Sequence, residues 1–257
     1  MIISEAKAKV YGKLAKSLTS EFAASSQEYK LAYMFNSSTS LVDASELNLN
    51  DIIISTGCYE SMFEGCTSLT SAPELPATTL ANYCYYCMFS GCTSLTSAPK
   101  VLPATKLNDS CYNGMFSGCT SLTSAPELPA TTLANNCYES MFSGCTSLTS
   151  APELPATTLA YNCYENMFCE CTSLTSAPEL PATKLGVGCY SNMFSGCTSL
   201  KSAPKVLPAT TLGAGCYMYM FSDCISLVNA PKLPAIIFDI DCYWQMFNNC
   251  NKITECI

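Results

Sequence analysis

The sequence predicts an α/β solenoid in which each turn of 26 or 27 residues carries one short strand and one short helix. Three observations favour this fold. The pair Met-Phe occurs nine times from Met34 to Met246, at steps of 26 or 27 residues after a first step of 28. Apolar residues surround each pair at regular spacing, and seven of the copies are followed by proline at the same position. A repeat this short cannot bury its apolar face alone, so successive turns must stack on one another.

The helix of each turn is predicted around the Met-Phe pair. Within residues 79–92, the apolar positions fall at i, i+4, i+5, i+8 and i+9, the spacing of one helical stripe: Leu80, Cys84, Tyr85, Met88 and Phe89. A threonine just before this stripe can cap the helix N-terminus. Gly91 stands where a left-handed C-terminal cap is expected, so the helix is predicted to end there.

The strand of each turn is predicted in the segment that reads TSLTSAPELP in several copies. Leu95 and Ala98 point inward from this short extended run. Proline cannot donate to a strand ladder, so regular pairing between turns must end near the column of prolines. This column contains Pro73, Pro99, Pro126, Pro152, Pro178, Pro204 and Pro231.

Residues 1–30 are predicted to be a separate N-terminal segment, and residues 31–257 the solenoid. The first segment holds five lysines and three glutamates, whereas the remainder holds seven lysines and seventeen acidic residues. An apolar stripe over residues 4–24 predicts an amphipathic helix. This helix would either cap the first turn or dock onto another chain.

The charged residues exclude several classes of function. The net charge is −8, all 12 basic residues are lysine, and there is no arginine or histidine. Arginine dominates base and phosphate recognition, and histidine dominates proton transfer and zinc binding, so we expect no nucleic-acid partner, catalytic residue, metal site or cofactor. No stretch reaches the roughly 18 apolar residues that span a bilayer, so no membrane insertion is expected. The N-terminus lacks the apolar region of a secretory signal.

Cysteines form two columns, one four residues before each Met from Met62 onward and the other four residues after it. Packed thiols, disulfides and metal ligands are three competing interpretations. Cysteines eight residues apart on a helix would be about 12 Å apart, beyond the roughly 7 Å between Cα atoms that a disulfide allows. Packing is favoured because cysteine is small and apolar. Cys87 and Cys169 lie outside the columns, so we expect them on the outer face, where they would react first.

The phrase MFSGCTSLTSAPELPATTLANNCYESMF, residues 115–142, resembles the BspA-like leucine-rich repeats of bacterial surface proteins and phages. The resemblance covers about residues 31–257. It implies an open, curved leucine-rich-repeat solenoid that serves in adhesion or recognition and has no catalytic residues. It also implies a cell-surface, secreted or virion location, although no signal peptide is recognised here.

Positions that vary between copies are the candidates for binding a partner. The outer helical face is predicted to present aromatic residues, namely Tyr83, Tyr86, Tyr161, Tyr219 and Trp244. A charged column beside the prolines includes Glu127, Glu153, Glu179 and Lys205. The alternative is that exposed positions drift freely and the charges are merely solvated.

Two functional hypotheses follow from these positions. The first is a recognition module for a protein or glycan. The second is a structural spacer or virion component docked through its N-terminal segment. An enzyme is a distant third.

The C-terminal end of the solenoid is a further candidate interface. Ile253 aligns with the inward leucine of earlier copies, so a final strand begins there and nothing in the sequence caps it. Exposed strand edges are normally covered, charged or used in pairing. We therefore expect this edge to be covered by a second copy or by a larger assembly.

Overall fold

The computed structural model describes residues 8–9, 12–13, 27–50 and 52–256. In it the Met-Phe repeats stack as nine rungs, numbered here in chain order. The strands are very short: β1 (Ala8–Lys9), β2 (Gly12–Lys13), β3 (Leu41–Asp43), β4 (Leu47–Asn48), β5 (Thr211–Leu212), β6 (Asn229–Ala230), β7 (Ile237–Phe238) and β8 (Glu255–Cys256).

The strands pair in parallel as four separate two-stranded sheets: β1 with β3, β2 with β4, β5 with β7, and β6 with β8. Between these sheets, single parallel bridges join equivalent positions of neighbouring rungs, such as Ser71 with Ser97 and Val101 with Glu127. The strand side of the stack is therefore a series of brief parallel contacts on both sides of the proline column.

The prediction of one short helix per turn is wrong, because none of the described residues is helical. A ten-residue turn tract replaces the helix in each rung. The predicted leucine-rich-repeat solenoid of alternating strand and helix is therefore corrected to a stack of short strands and turn tracts. The tracts span residues 29–38, 57–66, 83–92, 110–119, 136–145, 162–171, 188–197, 215–224 and 241–250. Within the part of the chain that the structure describes, no helix is long and apolar enough to cross a membrane.

Backbone hydrogen bonds explain why the tract is not a helix. In the fifth rung, the Tyr138 N–H donates to the Cys163 carbonyl of the next rung at 3.1 Å. The Met141 N–H instead donates within its own rung, to the Tyr138 carbonyl at 3.2 Å. The backbone N–H groups alternate along the tract between these two kinds of bond. One donates to a carbonyl of the next rung, and the following one donates to the carbonyl three residues earlier. An α-helix would bond every N–H to the residue four positions earlier.

The backbone conformation also interrupts any helix. Every fourth tract residue has a positive φ, as at Asn136 (54°), Ser140 (54°) and Gly144 (71°), and all nine tracts repeat these three positions. A left-handed conformation costs most side chains about 1–2 kcal/mol, and glycine, asparagine and aspartate tolerate it best. The glycines predicted as helix caps are therefore part of a pattern that recurs through the whole tract.

Two ladders of stacked aromatic rings run through the core. Phenylalanines from Phe35 to Phe247 stack with ring centroids 5.3–5.7 Å apart. Tyrosines from Tyr59 to Tyr243 stack at 5.3–5.8 Å. Neighbouring rings are nearly parallel, and stacked aromatic pairs contribute beyond the area they bury. The ladders therefore fix the register of one rung on the next.

The predicted burial of the cysteine columns is confirmed. The 18 cysteines from Cys58 to Cys250 are unbridged, and all are buried except Cys87, Cys169 and Cys250, which are half-buried. In the second column, each thiol donates to the phenylalanine carbonyl of the preceding rung, as Cys145 Sγ does to Phe116 at 3.1 Å. These cysteines therefore fill space and also provide a weak hydrogen bond between rungs.

Only four residues of the N-terminal segment's predicted helix are described, and these four are extended. Strand β1 pairs with β3 through Ala8 and Leu41, and β2 pairs with β4 through Gly12 and Leu47. Lys9 Nζ forms an ion pair with Asp43 at 3.0 Å. The helix expected over residues 4–24 is not formed at these four positions, and the rest of it lies outside the described residues. The division of the chain at residue 30 stays a prediction.

Candidate functional site

The aromatic candidates lie on the turn tracts or just before them, in three separate places. Tyr83 and Tyr86 of the third rung meet edge to face, with ring centroids 6.0 Å apart. Trp244 Nε1 donates to Tyr219 Oη of the preceding rung at 3.1 Å. Tyr161 is exposed on the sixth rung, away from both pairs. The structure therefore does not join the five predicted aromatic residues into one site.

The carboxylate candidates lie on the other side of each rung, in the connection that contains the prolines. Glu127, Glu153 and Glu179 are exposed on three successive connections. Lys205 is exposed on the connection that follows them. The bridge of Val101 with Glu127 shows that connections of neighbouring rungs lie parallel at this position. These four candidates therefore form a continuous row along the stack.

Two adjoining grooves open between these connections, and we call them together the proline groove. The first has a volume of about 430 Å³ and the second of about 380 Å³. Pro152, Glu153 and Pro155 line both. The other groove-lining prolines are Pro126, Pro129, Pro178 and Pro181. Each proline fixes its own φ, so the walls of the groove are stiff.

The proline groove presents acceptors and apolar surface, with no lysine among its lining residues. Glu127, Glu153 and Glu179 stand along it at successive rungs, so a ligand can meet a carboxylate at every step. The sequence predicted this glutamate column but not the groove. The signal was present, because two prolines three positions apart recur around each glutamate in the segment PELP.

Other outward positions of the tracts form contacts of their own. Asn113 Nδ2 donates to Glu139 Oε2 of the next rung at 2.9 Å. Burial raises the pKa of Glu139, while the bond from Asn113 opposes that rise. The pKa of Glu165 is raised by burial and then by the neighbouring charge of Glu139. These two carboxylates are therefore partly buried members of the stack and differ from the exposed glutamates of the groove.

The thiols are poorly suited to nucleophilic chemistry. Burial raises the pKa of both Cys87 and Cys169 to about 11, so their reactive thiolate forms are scarce at neutral pH. Both thiols are half-buried, so they are less accessible than residues on the outer face, where the sequence predicted them. Among the described residues, no three histidine, cysteine, aspartate or glutamate side chains cluster as a metal site would require.

No family model matches this chain, and no curated protein matches it. A solved structure that is similar to it is a leucine-rich cell surface protein from Faecalibacterium prausnitzii, with 17% sequence identity and a TM-score of 0.41. The match covers 88% of this chain and 62% of that protein, so this chain spans less than two thirds of its length. At that score the two chains differ too much for the likeness to bear on function. The BspA-like resemblance stays a prediction.

Proposed function

We propose that this chain is a non-enzymatic recognition module that binds a protein or glycan through the proline groove. The observation that carries the proposal is the groove itself, with Glu127, Glu153 and Glu179 at successive steps along it. Ligand sites are typically concave, largely apolar and equipped with a few well-placed polar groups. Stacked rungs and proline walls would hold those groups in place before a ligand arrives.

The groove chemistry selects the partner. Carboxylates accept hydrogen bonds from ammonium, guanidinium, amide and hydroxyl donors. A basic extended peptide segment or a sugar chain could place such donors at the rung spacing, with its apolar faces against the prolines. Adhesion at a bacterial surface or on a virion is the setting we propose, and it rests on the resemblance to BspA-like repeats.

Binding to glycan arrays and pull-down of proteins from candidate host surfaces test the proposal. The key variant carries Glu127→Gln, Glu153→Gln and Glu179→Gln, which remove the charges while keeping side-chain size. Because all three glutamates are exposed, we expect the fold to be unaffected and specific retention to be lost. A matched variant with Tyr83→Ala, Tyr86→Ala and Tyr161→Ala should retain the ligand.

Two outcomes would contradict the proposal. Loss of binding only in the tyrosine variant would move the site to the turn tracts. Absence of any specific retention by the unmodified chain would favour the structural spacer. Docking of that spacer through the N-terminal segment stays a prediction.

A further inference from the structure

Both halves of the proline groove lie between connections that have the short form PELP. The connection before them carries an extra residue, Val101, and closes onto the next one through a parallel bridge. Here the Glu127 N–H donates to the Lys100 carbonyl at 3.0 Å, and the Leu102 N–H donates to the Glu127 carbonyl at 3.1 Å. The proline groove therefore starts at the connection of Glu127 and extends away from this closed pair.

Within the proline groove the corresponding backbone groups are unpaired. The N–H groups of Glu153 and Glu179 have no acceptor among the residues that the structure describes, and the Glu153 carbonyl has no donor there. Each of these two glutamates therefore offers a backbone donor and a carboxylate acceptor at its step of the groove. A lysine or arginine side chain, which only donates, can use the acceptors alone. A hydroxyl group donates and accepts, so a sugar can use both.

Exposed hydroxyl groups border the proline groove on both sides. In the chain, Thr123 lies two positions before the lining residue Ala125, and Thr131 lies two positions after the lining residue Pro129. The exposed threonines at these borders are Thr123, Thr149 and Thr175 before the prolines, and Thr131, Thr157 and Thr183 after them. None of them carries charge, so the borders favour a neutral ligand that is rich in hydroxyl groups.

The step between rungs distinguishes sugar chains from extended peptides. Around the proline groove, equivalent core rings of neighbouring rungs are 5.6–5.8 Å apart, so the rise per rung is no greater than this. An extended peptide presents side chains on one side about every 6.6 Å, two residues at about 3.3 Å each, and falls out of step. A β-linked sugar chain advances by about one rung per sugar. Lys100 and Lys205 flank the three glutamates along the row and would repel a basic segment that continued past the groove.

We propose that the ligand of the proline groove is a neutral, β-linked sugar chain that lies along the stack with one sugar on each of the three connections. This inference rests on the function proposed above, because it uses the same groove. Hydroxyls of each sugar donate to a glutamate carboxylate, and at Glu153 and Glu179 a further hydroxyl accepts from the backbone N–H. The apolar C–H face of each ring packs against a proline, and the border threonines bond the outer hydroxyls.

Isothermal titration calorimetry with soluble oligosaccharides tests this proposal. The probes are β-1,4-linked chains of glucose and of N-acetylglucosamine, from the disaccharide upward. Chains of α-1,4-linked glucose, which coil, and oligolysine are the comparison probes. We expect a β-linked trisaccharide to bind about tenfold more tightly than the disaccharide, with no further gain beyond the tetrasaccharide. Because the ligand is neutral, raising the salt concentration should leave this affinity unchanged.

The key variant replaces the border threonines that precede the prolines: Thr123→Val, Thr149→Val and Thr175→Val. It removes three hydroxyls and keeps the shape of the side chains, so it should bind the trisaccharide about tenfold more weakly. The matched control changes the same residue type in the same rungs, three positions further from the prolines: Thr120→Val, Thr146→Val and Thr172→Val. The control should bind as the unmodified chain does, and melting temperatures establish that both variants are folded.

Oligolysine that binds, weakens as salt rises and requires the glutamates, with no sugar bound, overturns this inference and leaves the proline groove as the site. Binding of α-linked chains alone also overturns it, and so do two valine variants that bind equally. An unmodified chain that binds none of the probes overturns the inference as well, and the pull-downs described above then decide the proposed function separately.

Discussion

Cys145 shows how one small side chain serves two purposes in the stack. Its thiol is fully buried and donates to the Phe116 carbonyl at 3.1 Å. Replacement by alanine leaves a void and removes that bond, so we expect Cys145→Ala to lower the free energy of unfolding by about 1–3 kcal/mol. A serine hydroxyl at this buried position would be equally costly if it lacked a hydrogen-bond partner. The structure supplies a carbonyl partner, so we expect Cys145→Ser to cost less than alanine.

Urea denaturation of both variants, compared at the transition midpoint, measures this order. The Cys169→Ser variant is the matched control, because that thiol lies outside the columns and is half-buried. A serine variant less stable than the alanine variant would show that the carbonyl does not accept its hydroxyl.

The half-buried thiols provide a prediction on pH dependence. Alkylation requires the thiolate, and burial holds the pKa of Cys87, Cys169 and Cys250 at about 11. We expect these three to be labelled before the fully buried cysteines in the native protein. Their labelling rate should rise about tenfold per pH unit until the pH approaches their pKa. Mass spectrometry of peptides after timed alkylation measures this, and prior labelling of a buried residue such as Cys145 would contradict it.

At the scale of the element, the turn tract disfavours β-branched side chains at its positions of positive φ, which a helix would not do. Ser140 has a φ of 54°, whereas Ser117 has no positive φ, and both are partly exposed. Valine is branched at Cβ and tolerates the left-handed region poorly. We expect Ser140→Val to cost about 1–2 kcal/mol or more, and Ser117→Val to cost no more than about 0.5 kcal/mol.

Chemical denaturation of the two valine variants side by side gives the comparison. In a helix both positions would carry a similar small penalty, because helix propensity differs little between serine and valine. Equal stability of the two variants would therefore count against the turn tract.

The sequence predicted the period, the inward columns and the burial of cysteine, because these follow from residue types and their spacing along the chain. It did not predict the turn tract, because apolar residues four positions apart also match the stripe of an amphipathic helix. A helix has 3.6 residues per turn, so positions Leu80, Cys84, Met88 and Cys92 drift by about 40° at each step. Residues that tolerate a positive φ recur at every fourth tract position, as at Gly188, Asn192 and Gly196. Backbone N–H groups that donate to carbonyls 25–27 residues further along the chain leave no local pattern in the sequence, so this bonding was not predictable.

The candidate site was predictable only in part. The glutamate column appears in the sequence as an exposed charge beside proline. The proline groove depends on how neighbouring connections stack, which the repeat does not specify. The pairing of Trp244 with Tyr219 likewise depends on the contact between rungs.

At the scale of the whole molecule, equivalent positions in successive rungs should be interchangeable. Deleting residues 137–162 removes one period and joins Asn136 to Cys163. The register of the repeat is kept, because Cys163 holds the same place in its copy as Cys137, which normally follows Asn136. Phe116 would then stack on Phe168, and the Tyr112 N–H, now bonded to Cys137, would bond to Cys163. Because repeat proteins gain stability from neighbouring contacts, we expect a folded chain with a slightly lower melting temperature.

Deletion of residues 137–149 is the control, since it removes half a period and places strand positions over turn positions. We expect that chain to lose its cooperative thermal transition. Comparable melting curves for the two deletions would show that register between rungs does not hold the fold together.

The most direct test of the stack is to observe its hydrogen bonds by nuclear magnetic resonance. Scalar couplings across hydrogen bonds identify which carbonyl each N–H meets. The structure predicts couplings from the Tyr138 nitrogen to the Cys163 carbonyl and from the Phe142 nitrogen to the Met167 carbonyl, with Met141 coupled to Tyr138. A coupling from the Phe142 nitrogen to the Tyr138 carbonyl, four residues earlier, would show a helix and contradict the fold described here.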